Sequence, residues 1–479
     1  MKRTTVQRIG LGVLATALLL WLPPCSQEAP PARTDESFAW NADPLFAQLA
    51  ARFDATRSCP SDVETRSAAL VAEANALGHA HADPTDPGWD AALMHLFELA
   101  ADSGTCEDAG QHFLAVRNAV WRNAKTASVR WPETVESRNT LYRLLYGSRA
   151  ASEALLLQLP ADDAPSLNLV DDVPSQTPSV EYEGVRIHSG DLLVSRGGAP
   201  TSAFIARGND YPGNFSHVAL VHIDETGNAQ IIEAHIERGV ALATPEAYFR
   251  DKKLRVLVLR MRPDHPAVLE DPQLPHRAAA AALADAKARH IPYDFEMDFA
   301  EPTKQFCSEV ASTHYAGLGV ALWKTLSSFS SEGLARWMAA FGVTHFDTHS
   351  PSDLEYDPAL AVVAEWHDHD TLMDDHLDNA VIDIMLEEAQ DGAVLDYNYA
   401  MLPVARLAKV YSATLNLFGK EGPVPEGMSP VVALRARWLA DEHAKRKTAL
   451  QAAVKAFEGE HGRSPAYWEL VELARALTR

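Results

Sequence analysis

The spacing of hydrophobic positions changes twice along this chain. From residue 38 to 160, apolar side chains recur every three or four positions, as in NTLYRLLYGSRAASEALLLQL at 139–159, a period typical of helices. From 181 to 366, apolar residues instead form short runs between clusters of Gly, Asn, Asp and Pro. The helical period returns from 367 to 479. The pattern predicts an α+β domain between an N-terminal and a C-terminal helical region.

The middle segment carries the signals of a small antiparallel sheet. Four runs, HSGDLLVS, SHVALVHID, AQIIEAHI and LRVLVLRM, predict strands, and ALAVVAEW at 359–366 predicts a last one. Gly227 and Asn228 separate the second run from the third and predict a hairpin. Residues 161–180 are rich in Pro, Ser and Asp, so we interpret them as a linker.

The N-terminus has the order of a secretory signal. A basic start, MKRTTVQR, precedes the apolar run IGLGVLATALLLWL, which is shorter than the roughly 20 residues that span a bilayer. We expect residues 1–25 to be a signal peptide, followed by a linker at 26–37. Cys25 stands where a bacterial lipoprotein carries its lipid, although Pro23 and Pro24 replace the small residues that a lipoprotein signal prefers. The alternatives are secretion with a different cleavage site and an uncleaved anchor.

Composition narrows the function classes. The chain has 479 residues, 65 acidic and 42 basic side chains, and a formal net charge of -23 at pH 7. The length predicts two or three domains. The acidic balance argues against nucleic acid as a partner, because such a surface repels phosphate backbones. With the N-terminal signal, these features predict a cell-envelope protein of the periplasm or outer membrane, attached to the membrane if Cys25 is lipidated.

Three cysteines follow the N-terminal signal. Cys59 and Cys106 lie in one helical region and would form a disulfide in an oxidising compartment, with two separate thiols as the alternative. Cys307 has no such partner. It follows Pro302 and Thr303, which predict a helix start, and a helix N-terminus stabilises a thiolate through its dipole and free N–H groups. Cys307 is therefore a candidate nucleophile, and a buried structural cysteine is the competing interpretation.

A histidine and a carboxylate in the predicted hairpin suit this thiol. In FSHVALVHI at 215–223, the period of two places His217 in a row of apolar side chains, and in AQIIEAHI it places Glu233 on one face with Ile231. Across the hairpin, Glu233 would orient the imidazole of His217, which would act as the base for Cys307. The competing interpretation is a core histidine that is bonded to a carbonyl group.

Five short motifs then give the middle segment a family resemblance. GDLLVS at 190–195, FSHVALV at 215–221, IIEA at 231–234, PYDFEMD at 292–298 and FCSEV at 306–310 resemble the YiiX-like family of circularly permuted NlpC-type, papain-like cysteine hydrolases. The order histidine, glutamate, cysteine is the permuted one. The resemblance covers roughly residues 180–365 and implies a permuted papain-like core, a small antiparallel sheet or barrel with helices, at 181–366. It also implies a structural role for the Gly-Asp turn that opens the first motif.

The resemblance assigns further roles to single residues. It implies Cys307 as nucleophile, His217 as general base and Glu233 as the residue that orients the base, with Tyr293 and Asp294 lining the pocket. The implied reaction is hydrolysis of an amide or ester through an acyl-enzyme, without a cofactor. Cell-wall peptides and acyl lipids are the implied substrate classes, and acyl transfer is the alternative to hydrolysis.

Other interpretations use the same segments. A metal site in WHDHDTLMDDHLD at 366–378 lacks the usual ligand spacing, and we interpret that string as the solvated start of a helix. A second alternative is zinc, held by His217, Glu233, His235 and Cys307. We expect Glu309 at the surface. The alternative to an enzyme is a module that binds a lipid or peptide without catalysis, with the helical regions as a platform for partners.

Overall fold

The computed structural model describes residues 47, 50–52, 59–106, 108–322 and 326–478. The predicted signal peptide, the lipidation site at Cys25 and the linker at 26–37 lie outside these residues. In the part that is described, no helix combines the length and apolar content that crossing a membrane requires.

Helices form the described part of the N-terminal region. Asp86 begins the second of them by accepting a 2.8 Å hydrogen bond from the backbone N–H of Gly88. A disulfide joins Cys59 to Cys106, the pair that the sequence analysis considered. The helices are α1 Val63–Ala80, α2 Pro87–Ser103, α3 Ala109–Ser128, α4 Val135–Tyr142 and α5 Ser148–Leu156.

An antiparallel sheet, seven strands wide among the described residues, occupies the centre of the molecule. The strands of the chain are β1 Leu167–Leu169, β2 Ser179–Tyr182, β3 Val185–His188, β4 Leu192–Gly197, β5 His217–Ile223, β6 Ala229–His235, β7 Gly239–Ala243, β8 Lys253–Met261, β9 Ser327–Ser328, β10 Asp347–Thr348 and β11 Leu360–Trp366. The order in the central sheet is β1-β11-β8-β4-β5-β6-β7. Strands β2 and β3 form a separate pair, as do β9 and β10. The predicted α+β architecture is confirmed.

The segment 161–180 is more than the linker that its composition predicts. Leu167–Leu169 forms the edge strand β1, in which Leu167 pairs with Trp366 of β11, and Ser179 begins β2. A run of three residues between Pro and Asp clusters is too short to show an alternating pattern, so its strand became visible only through its partner.

Gly190 and Asp191 shape the turn before β4. Gly190 has a φ of +97°, and a Cβ there would lie 2.6 Å from the backbone carbonyl carbon of Pro275, so only glycine fits. The buried carboxylate of Asp191 accepts two 2.8 Å hydrogen bonds from the guanidinium of Arg260. This turn has the structural role that the resemblance implied.

The remaining helices pack around the sheet. Helices α9 and α10 pack against each other and against β5, while α12 packs against α6, α11 and β8. The C-terminal helices thus cover the core domain directly. Within 181–366 the helices are α6 Pro200–Arg207, α7 Pro245–Arg250, α8 Pro266–Glu270, α9 Leu274–Ala288, α10 Glu309–Ala316 and α11 Glu332–Phe341. After it come α12 His369–Gln390, α13 Leu402–Asn416, α14 Pro430–His461 and α15 Tyr467–Ala476.

A buried ion-pair network connects the sheet to both helical regions. Arg255 of β8 contacts Glu153 of α5 and, at 2.5 Å, Asp375 of α12. Nε2 of His376 lies 2.7 Å from Glu153. The metal-like string at 366–378 is therefore only partly a solvated helix start. Asp368 caps α12 as expected, but Asp375 and His376 are buried because they pair with groups on other elements.

Candidate active site

The hairpin of β5 and β6 places His217 and Glu233 on one face of the sheet. Ala219 pairs with Glu233, so His217, two residues earlier, lies diagonally across from the carboxylate. Nε2 of His217 is 2.7 Å from Oε2 of Glu233. Because Glu233 is buried, this contact holds the imidazole ring in one orientation. The alternation in the sequence predicts this juxtaposition.

Glu233 also contacts a second histidine, which the sequence analysis considered only as a zinc ligand. Nε2 of His235 is 3.0 Å from Oε1 of Glu233, and the rings of His235 and His217 lie 5.8 Å apart. Both carboxylate oxygens therefore contact imidazoles. The signal for this contact is present in the sequence, because residues two apart on a strand share a face.

Cys307 lies immediately before helix α10. The helix begins at Glu309, with Ser308 as the N-cap residue, so Pro302 and Thr303 precede a turn and not the helix itself. The predicted helix start is thus several residues too early, although Cys307 still lies next to the positive end of the helix dipole. The side chain is buried, with 6% of the residue exposed.

The sulfur of Cys307 contacts the imidazole of His217. A hydrogen bond connects these two side chains, and the backbone N–H of Val218 donates a second hydrogen bond to the sulfur. Since Nε2 of His217 contacts Glu233, Nδ1 is the ring nitrogen left for the sulfur. The structure therefore brings together all three residues predicted to carry the chemistry.

These contacts shift the proton affinities of the cluster. Burial opposes the charged imidazole, but hydrogen bonds to Cys307 and Glu233 raise the pKa of His217 to about 9. Burial also opposes the thiolate, but the hydrogen bond and the charge of His217 lower the pKa of Cys307 below its usual value. For Glu233, the hydrogen bonds of the two histidines outweigh burial and hold its pKa well below the usual range. The shifts favour a thiolate–imidazolium pair.

Glu309 is buried beside the nucleophile, whereas we expected it at the surface. Its residue exposure is 0%, and Oε2 accepts a 2.8 Å hydrogen bond from the backbone N–H of Phe306. Burial raises the pKa of Glu309 to about 9, against the effect of that hydrogen bond. A neutral carboxyl group here fastens the turn that carries Cys307. The expectation was wrong because Glu309 reaches back over its own chain and not outward to solvent.

Tyr293 and Asp294 both line an apolar cavity beside Cys307, but their side chains differ in use. Burial, followed by the charge of Cys307, raises the pKa of Tyr293 well above its usual value, so its hydroxyl keeps its proton. The carboxylate of Asp294 accepts hydrogen bonds from the backbone N–H groups of Glu296, at 2.9 Å, and Asp298, at 2.7 Å. Asp294 therefore shapes the loop, while Tyr293 faces the site.

Two spaces meet at Cys307. An open groove of about 910 Å³ is lined by His217, Glu233 and His235, together with charged side chains of the strands around it. A narrow apolar cavity of about 130 Å³ extends on the other side. Both spaces are lined by Cys307 and Tyr293, so a bound molecule can lie across the sulfur and occupy both.

Zinc was an alternative use of the same cluster. Within the described ranges, no group of three or more His, Cys, Asp or Glu side chains is arranged to hold a metal ion. The side chains of His217, Glu233 and His235 instead form hydrogen bonds with one another.

Comparison with known proteins gives one match. No curated protein and no solved structure matched the chain. A family model described as permuted papain-like amidase enzyme, YaeF/YiiX, C92 family, matches residues 186–364. The match begins in β3, ends in β11 and includes His217, Glu233 and Cys307. Through this domain the chain belongs to the permuted papain-like amidases of the YaeF/YiiX family, and this membership implies a cysteine-dependent amidase.

Proposed function

We propose that this protein is an exported cysteine hydrolase that cleaves an amide or ester through an acyl-enzyme on Cys307. The observation that carries the proposal is the continuous contact from the sulfur of Cys307 to the imidazole of His217 and on to the carboxylate of Glu233. A nucleophile, a base and the group that orients the base are the parts that covalent catalysis by a thiol requires.

In the first half of the reaction, the thiolate of Cys307 attacks the carbonyl carbon of the substrate and a C–S bond forms. The carbonyl oxygen gains negative charge, which the adjacent N-terminus of α10 favours. His217 gives its proton to the departing amine or alcohol, and the C–N or C–O bond breaks. The product is a thioester on Cys307.

In the second half, water replaces the leaving group. His217, now neutral, takes a proton from the water as its oxygen attacks the thioester carbonyl. The C–S bond breaks, the carboxylic acid leaves, and the thiolate–imidazolium pair is restored. Glu233 keeps its charge throughout and stabilises the imidazolium that forms in each cycle. If an alcohol or amine takes the place of water, the same site performs acyl transfer.

The proposed location is the cell envelope. The basic and apolar segments within residues 1–25 support export, and the disulfide between Cys59 and Cys106 supports an oxidising compartment. We propose Cys25 as the residue that attaches the mature chain to the membrane through a lipid.

Trapping the acyl-enzyme tests the proposal. The purified protein is mixed with a panel of acyl amides, acyl esters and cell-wall stem peptides, quenched in acid, and analysed by intact mass and peptide mapping. We expect one acyl group on the peptide that contains Cys307, no adduct in Cys307→Ala, and slower acylation in His217→Ala. Turnover that is unchanged in Cys307→Ala would overturn the proposal. No adduct and no turnover with any member of the panel would favour the binding module.

A further inference from the structure

The two spaces at Cys307 differ in chemical character. The groove carries charged side chains at its rim, among them Arg238, Lys252 and Lys253. The cavity on the other side is lined mainly by aromatic and aliphatic side chains, such as Phe204, Phe329 and Met338. A substrate whose scissile carbonyl lies at the sulfur would therefore place a polar half in the groove and an apolar half in the cavity.

The wall of the apolar cavity includes residues far outside the matched family segment. Val432 and Ala436, four residues apart on one face of α14, line it, and so does Met428 just before that helix. The C-terminal region thus contributes directly to the space beside the nucleophile. Such a contribution gives the helices after residue 367 a task that hydrolysis alone does not require.

The apolar cavity continues beyond this wall. A second cavity of about 540 Å³ lies between α11 and the start of α14. The side chains that line both cavities, and so separate them, are Phe295, Phe341, Met428 and Val432. Met428 is flexible and half-buried, which makes it the most adaptable part of this partition.

We propose that the acyl half of the substrate is a hydrocarbon chain, bound in the apolar cavity and selected for length by the partition at Met428 and Val432. The inference rests on the proposed function and deepens it. A cell-wall stem peptide carries amides and carboxylates, and their burial without partners opposes binding here. A methylene chain has no such groups, and each buried methylene strengthens binding about threefold to fourfold. The polar amine or alcohol that leaves would lie in the groove.

A matched pair of variants tests the cavity wall. Ala436 and Ala433 are both half-buried on α14, but only Ala436 lines the cavity. We measure kcat/KM for p-nitrophenyl esters from acetyl to palmitoyl in Ala436→Phe, Ala433→Phe and the wild type. The wild type should prefer medium or long chains over acetyl by at least tenfold. Ala436→Phe should lose that preference and keep acetyl turnover, while Ala433→Phe should resemble the wild type. Met428→Ala should gain activity selectively toward palmitoyl esters.

Binding without chemistry separates this inference from the proposed function. A fluorescent fatty acid is titrated into Cys307→Ala, with and without Ala436→Phe. Saturable binding that Ala436→Phe weakens at least tenfold would support the cavity even if no ester is hydrolysed. The inference is wrong if wild-type turnover does not depend on chain length, if the Ala436 and Ala433 variants behave alike, or if esters of N-acetyl-leucine exceed every unbranched chain. Each of these results would leave the thiol chemistry itself intact.

Discussion

The carboxylate of Glu233 contacts the imidazole of His217 across the β5–β6 hairpin, with 2.7 Å between Oε2 and Nε2. The contact uses the ring nitrogen that faces away from Cys307, so it aims the opposite nitrogen at the sulfur. It also places a negative charge where an imidazolium forms. The reactivity of Cys307 should therefore depend on two residues that lie on strands, both far from it in sequence.

Replacement of His217 should remove the reactivity of the thiol. In the wild type, the hydrogen bond and charge of His217 lower the pKa of Cys307, so iodoacetamide should alkylate it well below the free thiol value of about 8.5. In His217→Ala, burial acts without that support and the rate below pH 8 should fall by at least tenfold. The rate across pH is followed by mass spectrometry of the Cys307 peptide, with His222→Ala as a control on the same strand. Equal rates in His217→Ala and the wild type would contradict the nucleophile assignment.

The pH profile of kcat/KM should be bell-shaped, with an alkaline limb near 9. The thiolate of Cys307 is present above its lowered pKa, which sets the acid limb. The raised pKa of His217 keeps the general acid protonated until about 9, and activity falls as pH rises through that value. Glu233→Gln removes a charge that raises the pKa of His217, so the alkaline limb should move to lower pH. An alkaline limb that stays in place in Glu233→Gln would argue against this role for Glu233.

His235 should have a smaller effect through the same carboxylate. It contacts Oε1 of Glu233 and not the sulfur, so His235→Gln should lower kcat about tenfold with little change in KM, while Glu233→Ala should lower it further. His235→Gln in the Glu233→Ala background should then cost almost nothing, because the carboxylate is already absent. The double-mutant cycle on kcat measures this coupling, and additive losses would show that His235 acts by another route.

The catalytic hairpin was predictable because its logic is local. Alternation in two strands joined by Gly227-Asn228 is sufficient to place His217 and Glu233 on one face, since a short turn sets the register. The order of His217, Glu233 and Cys307 then indicated the permuted family. No local pattern shows where a distant thiol lies relative to a hairpin, so the contact of Cys307 with His217 needed the resemblance.

The rest of the site depends on contacts between distant segments. The cavity wall combines Phe204 of α6, Met338 of α11 and Val432 of α14, and each lies in a helix whose apolar period is equally consistent with an ordinary core position. The burial of Glu309 was missed because a charged residue in a helix usually faces solvent. The burial of Asp375 was missed because the arginines that neutralise it lie on β4 and β8.

The disulfide should contribute substantially to the stability of the N-terminal helices. Cys59 and Cys106 are separated by 47 positions, and the loss of chain entropy on closing such a loop corresponds to about 4 kcal/mol. A reducing agent should therefore lower the thermal midpoint of the wild type but not that of the Cys59→Ala/Cys106→Ala double variant. Calorimetry of both proteins, with and without reductant, measures the difference. An equal response of the two proteins to reductant would place the effect elsewhere.

Glu309 should make the protein less stable as pH rises, and glutamine should remove this dependence. The folded pKa is about 9, above the ordinary value of 4.5, so between these values the folded chain holds a proton that the unfolded chain has released. The free energy of unfolding should fall with pH across this window, by at most about 1.4 kcal/mol per pH unit. Glu309→Gln keeps a neutral group that accepts the N–H of Phe306, so its stability relative to the wild type should increase with pH. Urea unfolding between pH 5 and pH 8 checks the slope, with Glu225→Gln in the exposed hairpin turn as control. If both variants follow the wild-type slope, Glu309 is ionised in the folded protein and the neutral fastening of the Cys307 turn is wrong.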